Sequence, residues 1–93
     1  MAAMYTLQIE RDVVKSLRKL PPKHFRQIVF KVFALQQIPL PNDCKPIGAA
    51  YRVDSGEYRI LYFLDDQIQN IRIVLIAKRN DDEVYRKFMR RFG

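Results

Sequence analysis

The stretch from residue 47 to residue 79 constrains the fold more than any other part of the chain. Three apolar runs, at about 47 to 53, 57 to 65 and 68 to 77, follow one another with only short polar interruptions. Asp54-Ser55-Gly56 supplies the first tight turn and Asp65-Asp66-Gln67 the second. Strands joined so closely pair with their sequence neighbours, which predicts an antiparallel meander. In the middle run Tyr58, Ile60, Tyr62 and Leu64 alternate with Arg59, Leu61 and Phe63, so both faces carry bulk and the strand is expected to be central. Arg59, at the start of that strand beside the turn, is expected at the rim of the sheet. In the last run Ile71, Ile73, Leu75, Ala77 and Arg79 share one parity, and Arg72, Val74, Ile76 and Lys78 the other. Pairing through the second turn sets Ala77 or Lys78 beside roughly position 55.

The N-terminal half reads as a strand and two helices. Residues 4 to 10 alternate, with Tyr5, Leu7 and Ile9 on one face. From Arg11 to Leu20, Val13, Leu17 and Leu20 recur at helical spacing, and Asp12 suits the first turn. Pro21-Pro22 closes that helix and opens a second through about Gln37, because proline is tolerated at the first helical position. There Phe25, Ile28, Val29, Val32 and Leu35 or Gln36 form a stripe that Phe30, Phe33 and Ala34 widen. Two readings of so broad an arc stand side by side: a wide core contact, or a face that receives a partner protein. Residues 38 to 43 are a proline-rich loop, and Asn80 or Asp81 can cap a final helix with Val84, Tyr85, Phe88, Met89 and Phe92 on one stripe. The predicted order is βααβββα. It describes an α+β fold with a small, mostly antiparallel sheet of four strands, two N-terminal helices packed on one face and a C-terminal helix.

Ninety-three residues suit one domain, 1–93, which should bury roughly 60 to 68 % of the surface of its unfolded chain. No apolar run approaches the roughly 20 residues that cross a bilayer, and the N-terminus lacks the basic region and apolar core of a secretory signal. One cysteine, Cys44, allows no internal disulfide, so a cytoplasmic location and an inert thiol are expected. His24 has no carboxylate or second ligand near it in sequence and reads as a surface residue; no metal or cofactor is implied.

Seventeen Lys and Arg against ten Asp and Glu give a formal charge of +7. The excess favours polyanionic partners. In the second half the acids gather at Asp65-Asp66 and Asp81-Asp82-Glu83, leaving the cations elsewhere. The meander brings Arg52, Arg59, Lys78 and Arg79 to one end of the sheet. Like charges so gathered either serve an anion or are simply solvated strand ends.

Leu17-Arg18-Lys19-Leu20-Pro21, the run Gly56-Glu57-Tyr58-Arg59-Ile60-Leu61-Tyr62 within Tyr51 to Tyr62, and Ala77-Lys78-Arg79 with Glu83-Val84-Tyr85 resemble the RelE/ParE superfamily of bacterial and archaeal toxins. The resemblance runs from Met4 to about Phe92 and includes the element order. Its RelE branch implies a type II toxin–antitoxin toxin: a ribosome-dependent endoribonuclease that cuts mRNA in the A site to inhibit translation. The partners so implied are a cognate antitoxin, the ribosome and mRNA, with operator DNA bound through the antitoxin. The ParE branch implies instead a gyrase inhibitor without nuclease chemistry, and a basic RNA-binding module is a third reading. Residues matching the nuclease pattern are Arg52, Arg59, Lys78 with Arg79, and Tyr85; Asp54 departs from it, standing where a second lysine is frequent.

Metal-independent cleavage through the ribose 2′-hydroxyl needs a base for that hydroxyl, cations for the phosphorane and an acid for the departing oxygen. A guanidinium does not readily serve as base. A phenol is the better candidate, which points to Tyr85 as base, to Arg59 and Arg79 on the phosphorane, and to Arg52 and Lys78 as RNA-binding groups. Tyr85 also lies in the apolar stripe of the last helix, so a packing role stays open.

Overall fold

Alternation of bulky β-formers and two glycine-led turns produce one five-stranded sheet. The computed structural model describes residues 4–79 and 81–92. In chain order the elements are β1 (Thr6–Ile9), α1 (Arg11–Arg18), α2 (Pro22–Leu35), β2 (Lys45–Ile47), β3 (Ala50–Ser55), β4 (Tyr58–Asp65), β5 (Asn70–Lys78) and α3 (Asp81–Phe92). Across the sheet the order is β1-β5-β4-β3-β2. β1 runs parallel to β5 and every other pairing is antiparallel. The α+β class and the central place of β4 hold, but the sheet has five strands rather than four. The extra one, β2, forms a hairpin with β3 through Gly48, whose φ of 58° suits the first residue of a two-residue turn. Pro46 disguises it in the sequence, and as part of an edge strand it is tolerated there.

The β4–β5 register also differs from expectation. Asp65 Oδ1 accepts hydrogen bonds from the backbone N–H groups of Gln67 and Ile68, and Gln69 adopts a φ of 51°, so the turn extends and β5 begins at Asn70. Lys78 therefore lies opposite Tyr58, and Ala77 opposite Arg59, rather than near position 55. Further along, Leu61 faces Leu75 while Tyr62 faces Ile73, which leaves Val74 as the extra residue of a bulge. The bulge overturns the expectation that residues 71 to 79 keep one parity. Ile71, Ile73 and Ile76 face the core under α1 and α2, while Val74, Leu75 and Ala77 face α3.

On the first face α1 contributes Val13 and Leu17, and α2 contributes Ile28, Val32 and Leu35, to a core shared with Val53, Ile60, Tyr62, Ile71 and Ile73. Pro21-Pro22 separates the two helices as expected, Pro22 opening α2. The buried stripe of α2 is narrower than its apolar arc: Phe25, Phe30 and Phe33 are exposed. On the second face Phe88 of α3 is buried with Ile47, Ala50, Leu61, Val74 and Ala77, and its ring contacts Phe63 and Phe92. Arg91 fastens the end of α3, pairing with Glu10 Oε1 at 2.6 Å and donating to the carbonyl of the bulged Val74 at 3.3 Å. The expected cap Asn80 and the side chains of Asp81, Asp82, Glu83 and Val84 lie outside the described residues.

Tyr62 is fully buried, and its hydroxyl donates to the Pro39 carbonyl at 2.7 Å, tying the proline loop to the central strand. Burial is the main cause that pushes its phenol pKa up, with Cys44 and Asp43 adding to it. A raised value in the folded state contributes stability below the ordinary phenol pKa of about 10, and that contribution is lost as the pH rises through the folded value. Chemical denaturation from pH 8 to 11 should show Tyr62→Phe less stable by about 1 kcal/mol at pH 8, with a shallower alkaline loss than the wild type. Identical alkaline slopes would remove Tyr62 as the cause.

Candidate functional site

Side chains on the α3 face of the sheet end gather the proposed chemistry. Directly opposed residues of an antiparallel pair point to the same side. Ile47 and Ala50 both pack toward α3, so Lys45 and its partner Arg52 share that side, as do Asp54 and its partner Arg59 two positions on. Ala77 faces Arg59, and the backbone N–H of Arg79 extends the ladder by donating to the Glu57 carbonyl at 2.7 Å. The Gly56-Glu57 turn makes this close approach possible, with Gly56 at a φ of 58°.

Arg52 is buried, at 8 % exposure, and donates through Nη1 to the Tyr85 hydroxyl at 2.6 Å. Its guanidinium carbon lies 6.0 Å from the Tyr85 ring centroid. Tyr85 sits one turn before Phe88 and two before Phe92, so the aromatic seam that docks α3 also sets Tyr85 over β3. With its oxygen accepting from Arg52, the phenol proton is left to point elsewhere.

Arg59 is more enclosed than a rim residue, its side chain only 12 % exposed. Its Nε lies 3.6 Å from Asp54 Oδ1, and Arg79 Nε lies 4.0 Å from Asp54 Oδ2. The Asp54 Oδ1 and Arg59 Nε atoms are both buried and neither has a hydrogen-bond partner, so the contact is an ion pair rather than a hydrogen bond. Arg79 is half-exposed. Two guanidiniums, from β4 and from just past β5, thus flank one carboxylate, while a third, from β3, meets the α3 phenol on the same face of the sheet. Donors of this kind, fixed before a ligand arrives, suit a phosphate, which a guanidinium can grip with two parallel hydrogen bonds.

Lys78 does not join them. It shares the sheet end, but the alternation that sends Ala77 toward α3 sends Lys78 to the face of Tyr58. Lys45, exposed and directly across from Arg52, is a further cation on the site's own face that the sequence reading passed over with its strand. Two other residues differ or agree in detail. His24 is half-buried, edge-on to the Tyr58 ring at 5.3 Å on the opposite face, rather than on the surface. Cys44 is a half-buried free thiol beside Tyr62.

This architecture defines a class: an α+β toxin fold of the RelE type. The fold is that of the RelE-like toxin superfamily, and the solved structures it resembles come from bacteria and archaea. It is 28 % identical to a chain of the RelBE2 toxin–antitoxin complex of Mycobacterium tuberculosis, with a TM-score of 0.74 over 83 % of this chain and 100 % of that one. A chain of the archaeal RelE–RelB complex of Pyrococcus horikoshii OT3 is 27 % identical, with a TM-score of 0.74 over 84 % of this chain and 98 % of that one. A mutant of E. coli RelE in the free state shares the fold at 23 % identity and a TM-score of 0.78, covering 97 % and 99 %. No protein-family model matches the sequence, and no curated protein matches it.

If the arginine cluster is an anion site, inorganic phosphate should raise the melting temperature. Phosphate at about ten times its Kd adds about 1.4 kcal/mol to the wild type, and that gain should vanish in Arg59→Ala and shrink in Arg79→Ala. Equal phosphate stabilisation in all three proteins would dissociate the cluster from anion binding.

Proposed function

We propose that this protein is the toxin of a type II toxin–antitoxin pair and a ribosome-dependent endoribonuclease that cuts mRNA in the A site. The observation that carries this reading is the placing of two pairs on one face of the sheet: Arg52 with the Tyr85 hydroxyl, and Arg59 with Arg79 about Asp54. A protein that only bound another protein would have no need of Arg59, Arg79 and Tyr85 together. The RelE toxins among the structural neighbours support the same reading.

In the proposed reaction the 2′-oxygen attacks the adjacent phosphorus as its proton passes to the oxygen of Tyr85 in its phenolate form, the phenol's own proton having gone to solvent. Arg52 stabilises the charge on that oxygen with a charge-assisted hydrogen bond. Negative charge builds on the phosphorane oxygens, where the guanidiniums of Arg59 and Arg79 oppose it. The P–O5′ bond breaks, the more exposed Arg79 side chain donates a hydrogen bond to the departing oxygen, which takes a proton from water, and the products carry a 2′,3′-cyclic phosphate and a 5′-hydroxyl. No metal enters these steps. Lys45 and Arg52 lie where the RNA backbone crosses the face, and Lys78 meets a flanking phosphate around the sheet end. The ribosome fixes the mRNA geometry, so free RNA is a poor substrate.

The proposed antitoxin is a separate chain that covers apolar surface. An open groove between α1 and α2, lined by Ile9, Val14, Phe25, Val29 and Phe33, offers the helix-in-groove contact such a segment makes. The action is cytoplasmic; among the described residues no helix is long and apolar enough to cross a membrane.

Brief induction followed by primer extension on an abundant transcript should show cuts confined to translated frames. Arg59→Ala and Arg79→Ala should each lower cleavage by at least about 100-fold, as expected for losing a preorganised donor to the transition state. Tyr85→Phe should lose cleavage while keeping its melting temperature; lost stability with retained cleavage would make Tyr85 a packing residue. Intact transcripts with stalled DNA replication would transfer the chain to the gyrase-inhibitor branch. Affinity purification of the toxin expressed from its native operon should recover a small acidic or amphipathic partner, and recovery of the toxin alone would defeat the antitoxin reading.

A further inference from the structure

Asp54 stands in the middle of the cation cluster with a charge opposed to any phosphate that enters. A carboxylate there subtracts from anion binding, so its contacts call for a physical account. Both of its ion pairs run to the same kind of atom, Nε of Arg59 at 3.6 Å and Nε of Arg79 at 4.0 Å. A guanidinium carries five N–H donors, four of them on the terminal nitrogens. An anion at Nε therefore leaves the Nη ends available, and among the described residues no hydrogen bond engages the Nη atoms of Arg59 or Arg79.

The placement is set by backbone rather than by side-chain chance. Asp54 and Arg59 are direct partners across β3 and β4, one step from the Gly56-Glu57 turn, and Arg79 is held to that same turn through the Glu57 carbonyl. Asp54 Oδ1 and Arg59 Nε are buried together without other partners, so neither is free to swing to solvent without exposing the other. Oδ2, on the more open side, faces the half-exposed Arg79.

We infer that Asp54 is a positioning residue: it holds Arg59 and Arg79 by their Nε edges and offsets their repulsion, so that both terminal ends point at one phosphate. The inference rests on the nuclease reading proposed above. It exchanges affinity for orientation. The carboxylate weakens the ground-state grip on a phosphodiester but fixes two donors where charge develops, which favours the transition state over the bound substrate.

The test compares wild type, Asp54→Asn and Asp54→Glu in three measurements: arginine Nε–H signals in the NMR spectrum of the free toxin, inorganic phosphate affinity, and single-turnover cleavage on programmed ribosomes. In Asp54→Asn the Nε–H signals of both Arg59 and Arg79 should shift and exchange faster with water. Phosphate should bind more tightly, and cleavage should fall by about 100-fold, the effect expected of donors misplaced by about 1 Å. Asp54→Glu should restore part of the Nε–H signature and of the rate. A merely structural carboxylate would not move affinity and rate in opposite directions. Faster cleavage together with tighter phosphate binding in Asp54→Asn overturns the inference, because it would make Asp54 an internal competitor for the phosphate seat. Unchanged Nε–H signals overturn it as well. A wild type that leaves ribosome-bound mRNA intact would refute the nuclease reading, while the Nε–H signals would still decide whether Asp54 holds the two arginines.

Discussion

The strand side chains of the site inherit their direction from the pairing of Tyr58–Asp65 with its two neighbours, Ala50–Ser55 and Asn70–Lys78, because successive strand residues alternate faces and a slip of one residue turns a whole strand over. The bulge at Val74 uses this property within a single strand. Before it, Ile71 and Ile73 pack under α1 and α2; beyond it, Leu75 and Ala77 pack toward α3. Without the extra residue the end of β5 would present its cations with opposite parity, and Arg79 would leave the face on which Arg52 and Arg59 stand. The bulge also leaves the Val74 carbonyl to accept from Arg91, so the device that sorts the faces helps hold the helix covering one of them.

That helix needs the help. Twelve residues are at the margin of what forms a helix alone in water, and α3 meets the sheet mainly through Phe88, Phe92 and Arg91. Burial of a ring the size of Phe88 is worth about 1.5–3 kcal/mol, an appreciable share of the net stability of a small domain. The position of Tyr85 is thus a consequence of packing two turns further along. The bond of its hydroxyl to Arg52 and the packing of its helix are two ends of one stripe, which is why the sequence alone left both a chemical and a packing role open for Tyr85.

Much of the architecture was legible because it rests on strong local signals: Pro21-Pro22 divides the two helices, alternation marks β4, and Gly56 marks its turn. What was not legible depends on interactions that local pattern does not carry. Asp65 builds a longer turn through its own side chain, which displaced the register by several residues. A bulge inside a continuous apolar run has no compositional mark, so the expectation that β5 keeps one parity throughout does not hold. Lys45-Pro46-Ile47 looked like loop because proline is a poor strand residue everywhere except at an edge. The arginines stand at one end of the sheet, but the enclosure of Arg52 and Arg59 was not legible, since strand-end position suggests solvent and only tertiary packing, such as that of Tyr85 on Arg52, removes it.

The burial of Arg52 and Arg59 bears on what kind of site this is. A guanidinium withdrawn from water loses hydration that a partner must replace, so enclosed arginines occur with groups that satisfy them. Arg52 finds a phenol oxygen, and Arg59 finds Asp54 at ion-pair distance with its Nε still lacking a hydrogen bond. Asp54 offsets the charge of Arg59 at Nε without hydrogen-bonding it, and the terminal nitrogens of Arg59 and Arg79 take no hydrogen bond among the described residues. Surface cations scattered for solubility would gain little from a phosphate, because water already serves them. Cations held in advance by a phenol and a carboxylate gain more, since the reorganisation that solvent would otherwise undergo during reaction has been completed by folding.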